Sequence, residues 1–289
     1  VYDFETDGFG IKKMMQSTYV SEPLSFDPAH PFLEGFKRTQ EIAGDVPVKQ
    51  TIAGPNMVTL DSVVLSAQYA ANPVYRDLDE LREALAKVYQ DAIRAFYDAG
   101  CRYLQLDDTS WGALFSKRFR DRITACGYDP DKLIDVFGDI TEAALEGRPS
   151  DMVITTHMCK GNFMSHWLYE GTYETVARRL LGIRGIDGFF LEYDDERSGD
   201  FSPLRFLPKD TDQRVVLGLV TTKDPKLEDA APIRDRIYEA AKVVDLDRLC
   251  LSPQCGFSST EEGNVLSGED QWKKLKLVRE VAESVWADA

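Results

Sequence analysis

From about residue 46 onward, short apolar runs of strand length alternate with longer segments that carry apolar residues at helical spacing, the rhythm of parallel βα units. The spacing predicts strands over 46–52, 103–106, 152–156, 188–191, 215–220 and 249–252. Between the first two, residues 78–100 place Leu81, Leu85, Val88, Ala92, Ile93 and Phe96 near one helical face, with Gly100 as a stop. Segments 173–181, 233–243 and 272–285 repeat the pattern, and Gly182 ends the first of these. Parallel strands in this number fit either an open doubly wound sheet or most of a (β/α)8 barrel. A barrel draws reactive residues from the C-terminal ends of many strands, whereas a doubly wound sheet collects them at one switch point. Asp107 and Asp108, His157 and Cys159, Glu192, and Cys255 follow four different strands here. That favours an α/β fold of the TIM-barrel type, two strands short of a full count.

Residues 1–45 break the rhythm and read as an irregular N-terminal excursion, with 46–289 forming the rest of the barrel. Within the excursion, Met15, Ser17, Tyr19 and Val20 suit a strand or hairpin, and the three prolines of SEPLSFDPAHPF favour an ordered loop. The start lacks a basic and apolar leader, and no apolar run reaches membrane-spanning length, so a cytoplasmic protein is expected. An odd set of five scattered cysteines agrees with a reducing compartment. A formal charge of -15 repels phosphate backbones and anionic lipid surfaces, which argues against nucleic-acid and membrane partners.

The segment THMCKGNF sets His157 and Cys159 two residues apart at the end of an apolar run. In extended backbone both side chains point the same way, so the pair can share one ion. Alone this is a weak signal, because polar strand ends and small buried thiols are common without a metal. Glu192 in FFLEYDD and Cys255 in LSPQCGFSS complete an N, S, O, S donor set suited to tetrahedral zinc. Two thiolates and a carboxylate leave such a centre poor at activating water. It suits a thiol held deprotonated yet electron-rich for attack on a soft alkyl group.

Asp107 and Asp108 are adjacent in LQLDDTSW and would point to opposite faces of a strand. One can take the ammonium of an amino-acid substrate while the other caps the following loop. Arg197 and Arg205 flank the loop after Glu192 and are candidates to grip a carboxylate bidentately. Lys223 follows the 215–220 strand and can bring a positive charge to the mouth. His30 and His166 lack metal-ligating partners and read as capping, packing or surface residues. Gly54 and Pro55 mark a turn, not a phosphate loop.

At the LQLDD, THMC, FFLE and PQCG segments the sequence resembles the catalytic C-terminal domain of cobalamin-independent methionine synthases, over roughly residues 46–289. The resemblance implies a (β/α)8 barrel from which the first two βα units are missing here. It also implies zinc bound by His157, Cys159, Glu192 and Cys255, and Asp107 holding the amino group of homocysteine. Departures concern the methyl donor. Asp61 stands where the family has a folate-associated tryptophan, Ala113 lies near the place of an acidic folate contact, and Lys223 lies near that of a histidine proposed as a proton donor. The expected activity is zinc-dependent methyl transfer to homocysteine, forming methionine, with either methyltetrahydrofolate or a methyl-corrinoid protein as donor. The alternatives are transfer to a related thiol by another zinc-dependent alkyltransferase and a non-catalytic zinc or thiol-binding protein.

Overall fold

The computed structural model describes residues 2–5, 12–15 and 18–286. Strands β1 (Tyr2–Glu5) and β2 (Lys12–Met15) pair antiparallel as a hairpin apart from the main sheet. Helix α1 (Pro31–Ala43) leads to β3 (Lys49–Ala53), followed by α2 (Pro55–Met57), a π-helical stretch over Val58–Val64, α3 (Ala67–Ala71) and α4 (Leu78–Asp98). Strand β4 (Tyr103–Asp107) is followed by α5 (Trp111–Phe115), α6 (Lys117–Ala125) and α7 (Pro130–Leu145). Then come β5 (Val153–Met158), α8 (Glu174–Leu181), β6 (Gly188–Glu192), β7 (Arg214–Val220), α9 (Ala230–Ala240), β8 (Leu249–Pro253) and α10 (Gly268–Val285).

Strands β3 to β8 form one parallel sheet in sequence order. Unreversed order with α-helices after five of the six strands, and two short 3-10 turns between β6 and β7, is the winding of a (β/α)8-type barrel, present here in part. Alternation along β4 shows why it holds: Leu104 and Leu106 enter the hydrophobic core, leaving Gln105 and Asp107 on the other face. On the core side, Leu81, Leu85, Ile93 and Phe96 of α4 are buried, as their helical spacing requires. All six expected strands are present, with ends displaced by up to three residues.

The N-terminal segment is more regular than expected. Met15 ends β2 and Tyr19 and Val20 lie outside any strand, while Ser17 falls outside the described residues. Residues 21–30, most of the proline-bearing stretch, lie outside any helix or strand as expected, while residues 31–43 form a helix that takes in its last two residues. Pro31 sits in the first turn, where its missing N–H costs no hydrogen bond, and His30 caps the helix by accepting from the Phe32 N–H at 3.2 Å. The helix buries Leu33 and Phe36, the latter edge-on to Phe96 at 6.1 Å. Among the described residues no helix is long and apolar enough to cross a membrane.

Candidate metal centre

The register of β4 and β5 makes Asp107 and His157 direct neighbours, and their side chains meet with His157 Nδ1 at 2.5 Å from Asp107 Oδ1. An ionised carboxylate only accepts, so the contact places a proton on Nδ1 and, in the neutral ring, leaves the lone pair on Nε2. Nε2 is buried without a hydrogen-bond partner. Ligand atoms of His157, Cys159 and Cys255 all lie within 4.8 Å of one another. With Nδ1 committed to Asp107, Nε2 is the nitrogen that can join the two sulfurs.

Each donor reaches the cluster for a local reason. Cys159 is the first residue beyond β5, two past His157, so extended backbone carries both to one side. Cys255 comes from beyond β8, where the pairing with β7 shifts register between Gly218 and Val220. Such a bulge re-aims the chain. Gly218 is needed there, because a Cβ would sit 2.9 Å from both Gln254 Cα and the Leu191 carbonyl oxygen.

The three groups divide their protons unequally. A hydrogen bond from Cys159, together with the nearby His157, holds the Cys255 thiol well below its ordinary pKa despite burial. Cys159 is pushed well up by that same hydrogen bond, by burial and by the charges of Cys255 and Glu192. Burial acts to lower the pKa of His157, but the Asp107 carboxylate bonded to it and the nearby Cys255 sulfur prevail and raise it to about 10. Loss of the proton is thus favoured at Cys255 over Cys159, and an arriving cation would displace the protons that remain.

Glu192, the fourth donor that the resemblance implies, lies beside this group and not in it. It is fully buried at the end of β6. Its Oε2 accepts from the Lys160 N–H at 2.7 Å and Gln254 Nε2 at 2.8 Å. Its Oε1 accepts from Lys223 Nζ at 3.1 Å and Arg197 Nη2 at 3.4 Å.

The remaining candidates separate clearly. Asp108 is buried, with its oxygens on Asn56 Nδ2 at 2.8 Å and on the Ser110 hydroxyl. Those contacts describe a loop tie, and burial raises its pKa to about 6. Asp107 keeps 44% of its side chain exposed. Arg197 grips Asp195, lies over the Trp167 ring at 4.7 Å, and leaves Nη1 buried without a partner. Arg205 pairs with Glu174 on the exposed surface, away from the cluster. His166 Nδ1 contacts the Met164 carbonyl at 2.7 Å.

Sequence reasoning overlooked Lys160 and Gln254. Lys160 is fully buried, donates to the Gly171 and Arg197 carbonyls, and lies over the Phe115 and Tyr173 rings. Burial lowers its pKa to about 8. Both residues adjoin a metal candidate, Cys159 or Cys255, and that adjacency was the available signal.

A family model for the catalytic domain of cobalamin-independent synthases matches residues 35–284. The chain belongs to this family. It is therefore an enzyme of the methionine-synthase-like, methyltransferase type. Uncharacterized protein YxjH of Bacillus subtilis (strain 168) is 46% identical over 275 residues, which cover 95% of this chain and 71% of that protein. A crystal structure of a candidate vitamin-B12-independent methionine synthase from Listeria monocytogenes matches 91% of this chain and 72% of its own, at 40% identity and a TM-score of 0.71. A 121-residue stretch, 42% of this chain and 14% of the other, is 26% identical to a 5-methyltetrahydropteroyltriglutamate–homocysteine methyltransferase of Lactiplantibacillus plantarum (strain ATCC BAA-793 / NCIMB 8826 / WCFS1).

Proposed function

We propose that this chain transfers a methyl group to the thiol of homocysteine, forming methionine, at a zinc ion held by His157, Cys159 and Cys255 with Glu192 alongside. The observation that carries the reading is the buried, partnerless Nε2 of His157, set by Asp107 beside two sulfurs. One nitrogen and two sulfurs are preferred zinc donors, and a histidine oriented by a carboxylate is the usual support for one. Zinc bound there would lower the pKa of a substrate thiol while two cysteine thiolates keep the sulfur electron-rich.

The protein's own groups do the rest. Asp107 uses one oxygen on His157 and keeps an exposed side towards solvent, where it can accept from the substrate ammonium. Arg197 Nη1 is the guanidinium nitrogen still without a partner and suits the substrate carboxylate. The donor's bond to the methyl group breaks as the sulfur–carbon bond forms, and the thiol proton leaves to solvent. Residues 46–289 supply this catalytic barrel portion, and residues 1–45 lie ahead of it. The methyl donor is methyltetrahydrofolate or a methyl-corrinoid protein, and we assign the activity to the cytoplasm.

The test is methionine formation from homocysteine with each donor in parallel, with zinc measured on the same sample. Methionine from zinc-loaded protein with one of the two donors is expected. A zinc-loaded protein that forms none with either would overturn the assigned reaction.

A further inference from the structure

Helix α10 buries Lys274, Leu277 and Val281, at the i, i+3, i+7 spacing of a core-facing stripe. Leu277 and Val281 are apolar as that stripe requires, but the first position is a lysine whose side chain is wholly buried. A charge there needs full pairing in place of water. Lys274 Nζ donates to Glu228 Oε2 at 2.8 Å, to Glu228 Oε1 at 2.9 Å and to the Lys226 carbonyl at 2.8 Å, which uses every proton of the ammonium. Glu228 Oε1 also accepts from the Thr221 N–H at 2.9 Å. The pair therefore grips both ends of segment 221–228, which leaves the C-terminal end of β7 for α9. Between the gripped ends Thr222 is fully buried. Its hydroxyl accepts from Asn162 Nδ2 at 3.0 Å, and its carbonyl accepts from Asn264 Nδ2 at 2.9 Å. Asn162 follows β5 and Asn264 follows β8, so one residue joins the loops that carry Cys159 and Cys255.

We propose that Lys274 and Glu228 are positioning residues, which act from α10 to hold segment 221–226 so that Thr222 links the loops after β5 and β8. The bearing of this on turnover rests on the methyl-transfer reading above. A buried ion pair contributes little net stability, since apolar side chains of similar volume serve as well or better. Its contribution here is one fixed loop geometry, imposed at a distance from the reacting atoms. Without the pair the segment samples open states and substrate binds only the closed one, so apparent affinity falls with the closed fraction. The chemical step, once substrate is bound, is left as it was.

The experiment compares the wild-type chain with Lys274→Met, Glu228→Gln and the Lys274→Met/Glu228→Gln double variant. It reads amide hydrogen exchange by segment, melting temperature, and homocysteine KM and kcat of the zinc-loaded protein. Lys274→Met should lower the melting temperature and speed exchange over 221–226 roughly tenfold, as a locally opened segment does. Glu228→Gln should fall between it and the wild type. The double variant leaves no buried charge unpaired, so its melting temperature should return to within about 3 °C of wild type. Its exchange over 221–226 should stay fast, and its KM should stay raised roughly tenfold with kcat within about twofold. Unchanged exchange over 221–226 in Lys274→Met would overturn the proposal. So would a double variant in which exchange, KM and melting temperature return to wild type together, because the pair would then only fill the core. If Lys274→Met does not fold, the double variant and Glu228→Gln carry the same comparison. If the zinc-loaded wild type forms no methionine, the reaction reading fails, and hydrogen exchange still decides the positioning role.

Discussion

Replacement of Asp107 by alanine removes the 2.5 Å contact that fixes the His157 ring, while His157, Cys159 and Cys255 all remain. The electrostatic part of the loss is limited, because the Asp107 side chain is 44% exposed and solvent screens it. The tautomer effect is not screened. Without the carboxylate the ring can carry its proton on Nε2, which must then be released before that nitrogen binds a metal. Loss of a contact of this kind weakens metal binding by about 10–100-fold, or about 1.4–2.7 kcal/mol. Asparagine should fall between wild type and alanine, since its amide oxygen can still accept from Nδ1. Zinc affinity, read by competition with a chromophoric chelator, gives the magnitude, and long-range 15N–1H NMR of the metal-free protein gives the tautomer. A Zn2+ affinity within twofold of wild type in Asp107→Ala, with the proton still on Nδ1, would refute the orienting role. Turnover adds a second readout: Asp107→Asn should lose preference for homocysteine over a thiol that lacks the amino group.

Cys159→Ser should lose zinc affinity by more than the ~100-fold upper value for outer contacts, because a hydroxyl is a poor substitute for thiolate; zinc retention and homocysteine turnover both at wild-type level would remove Cys159 from the ligand set. Gly54→Ala should destabilise the fold by about 1–3 kcal/mol through overpacking, since its Cβ would lie 2.4 Å from Asp108 Cβ. An unchanged melting temperature would contradict that packing. Burial raises Asp61 to about 6 against the opposing charge of Arg122, so the folded state holds its proton more tightly than the unfolded chain. Stability should therefore fall as pH rises from about 4 to 6, and Asp61→Asn should remove on the order of 2 kcal/mol of that fall, as measured by urea unfolding across the range. Identical pH dependence in the two proteins would show that Asp61 is not the group responsible.

The strands were legible because each is a short apolar run bounded by polar or turn residues, as in Tyr103–Asp107 and Gly188–Glu192. Helix α1 was not legible at its start, because Pro31 suits a first helical turn as well as the loop that residues 21–30 form. Helix α7 went unread despite Asp129 capping it and Pro130 opening it. The π-helical turn at Val58–Val64 has no periodic signature that separates it from an ordinary helix. At the site, the two-residue spacing of His157 and Cys159 and the polar strand ends marked the metal cluster. The partners of Glu192 were not legible, because they depend on which loop side chains fold back over β6. The Asp107–His157 contact depends on the register of β4 and β5, which neither strand specifies alone.

The central claim is that His157, Cys159 and Cys255 form one metal centre, and X-ray absorption at the zinc edge of the zinc-loaded full chain tests it most directly. One tightly held zinc per chain is expected, with two sulfur neighbours at about 2.3 Å and a nitrogen at about 2.0–2.1 Å, and one sulfur fewer in Cys255→Ser. Failure to retain zinc, or a coordination shell without sulfur, would contradict it.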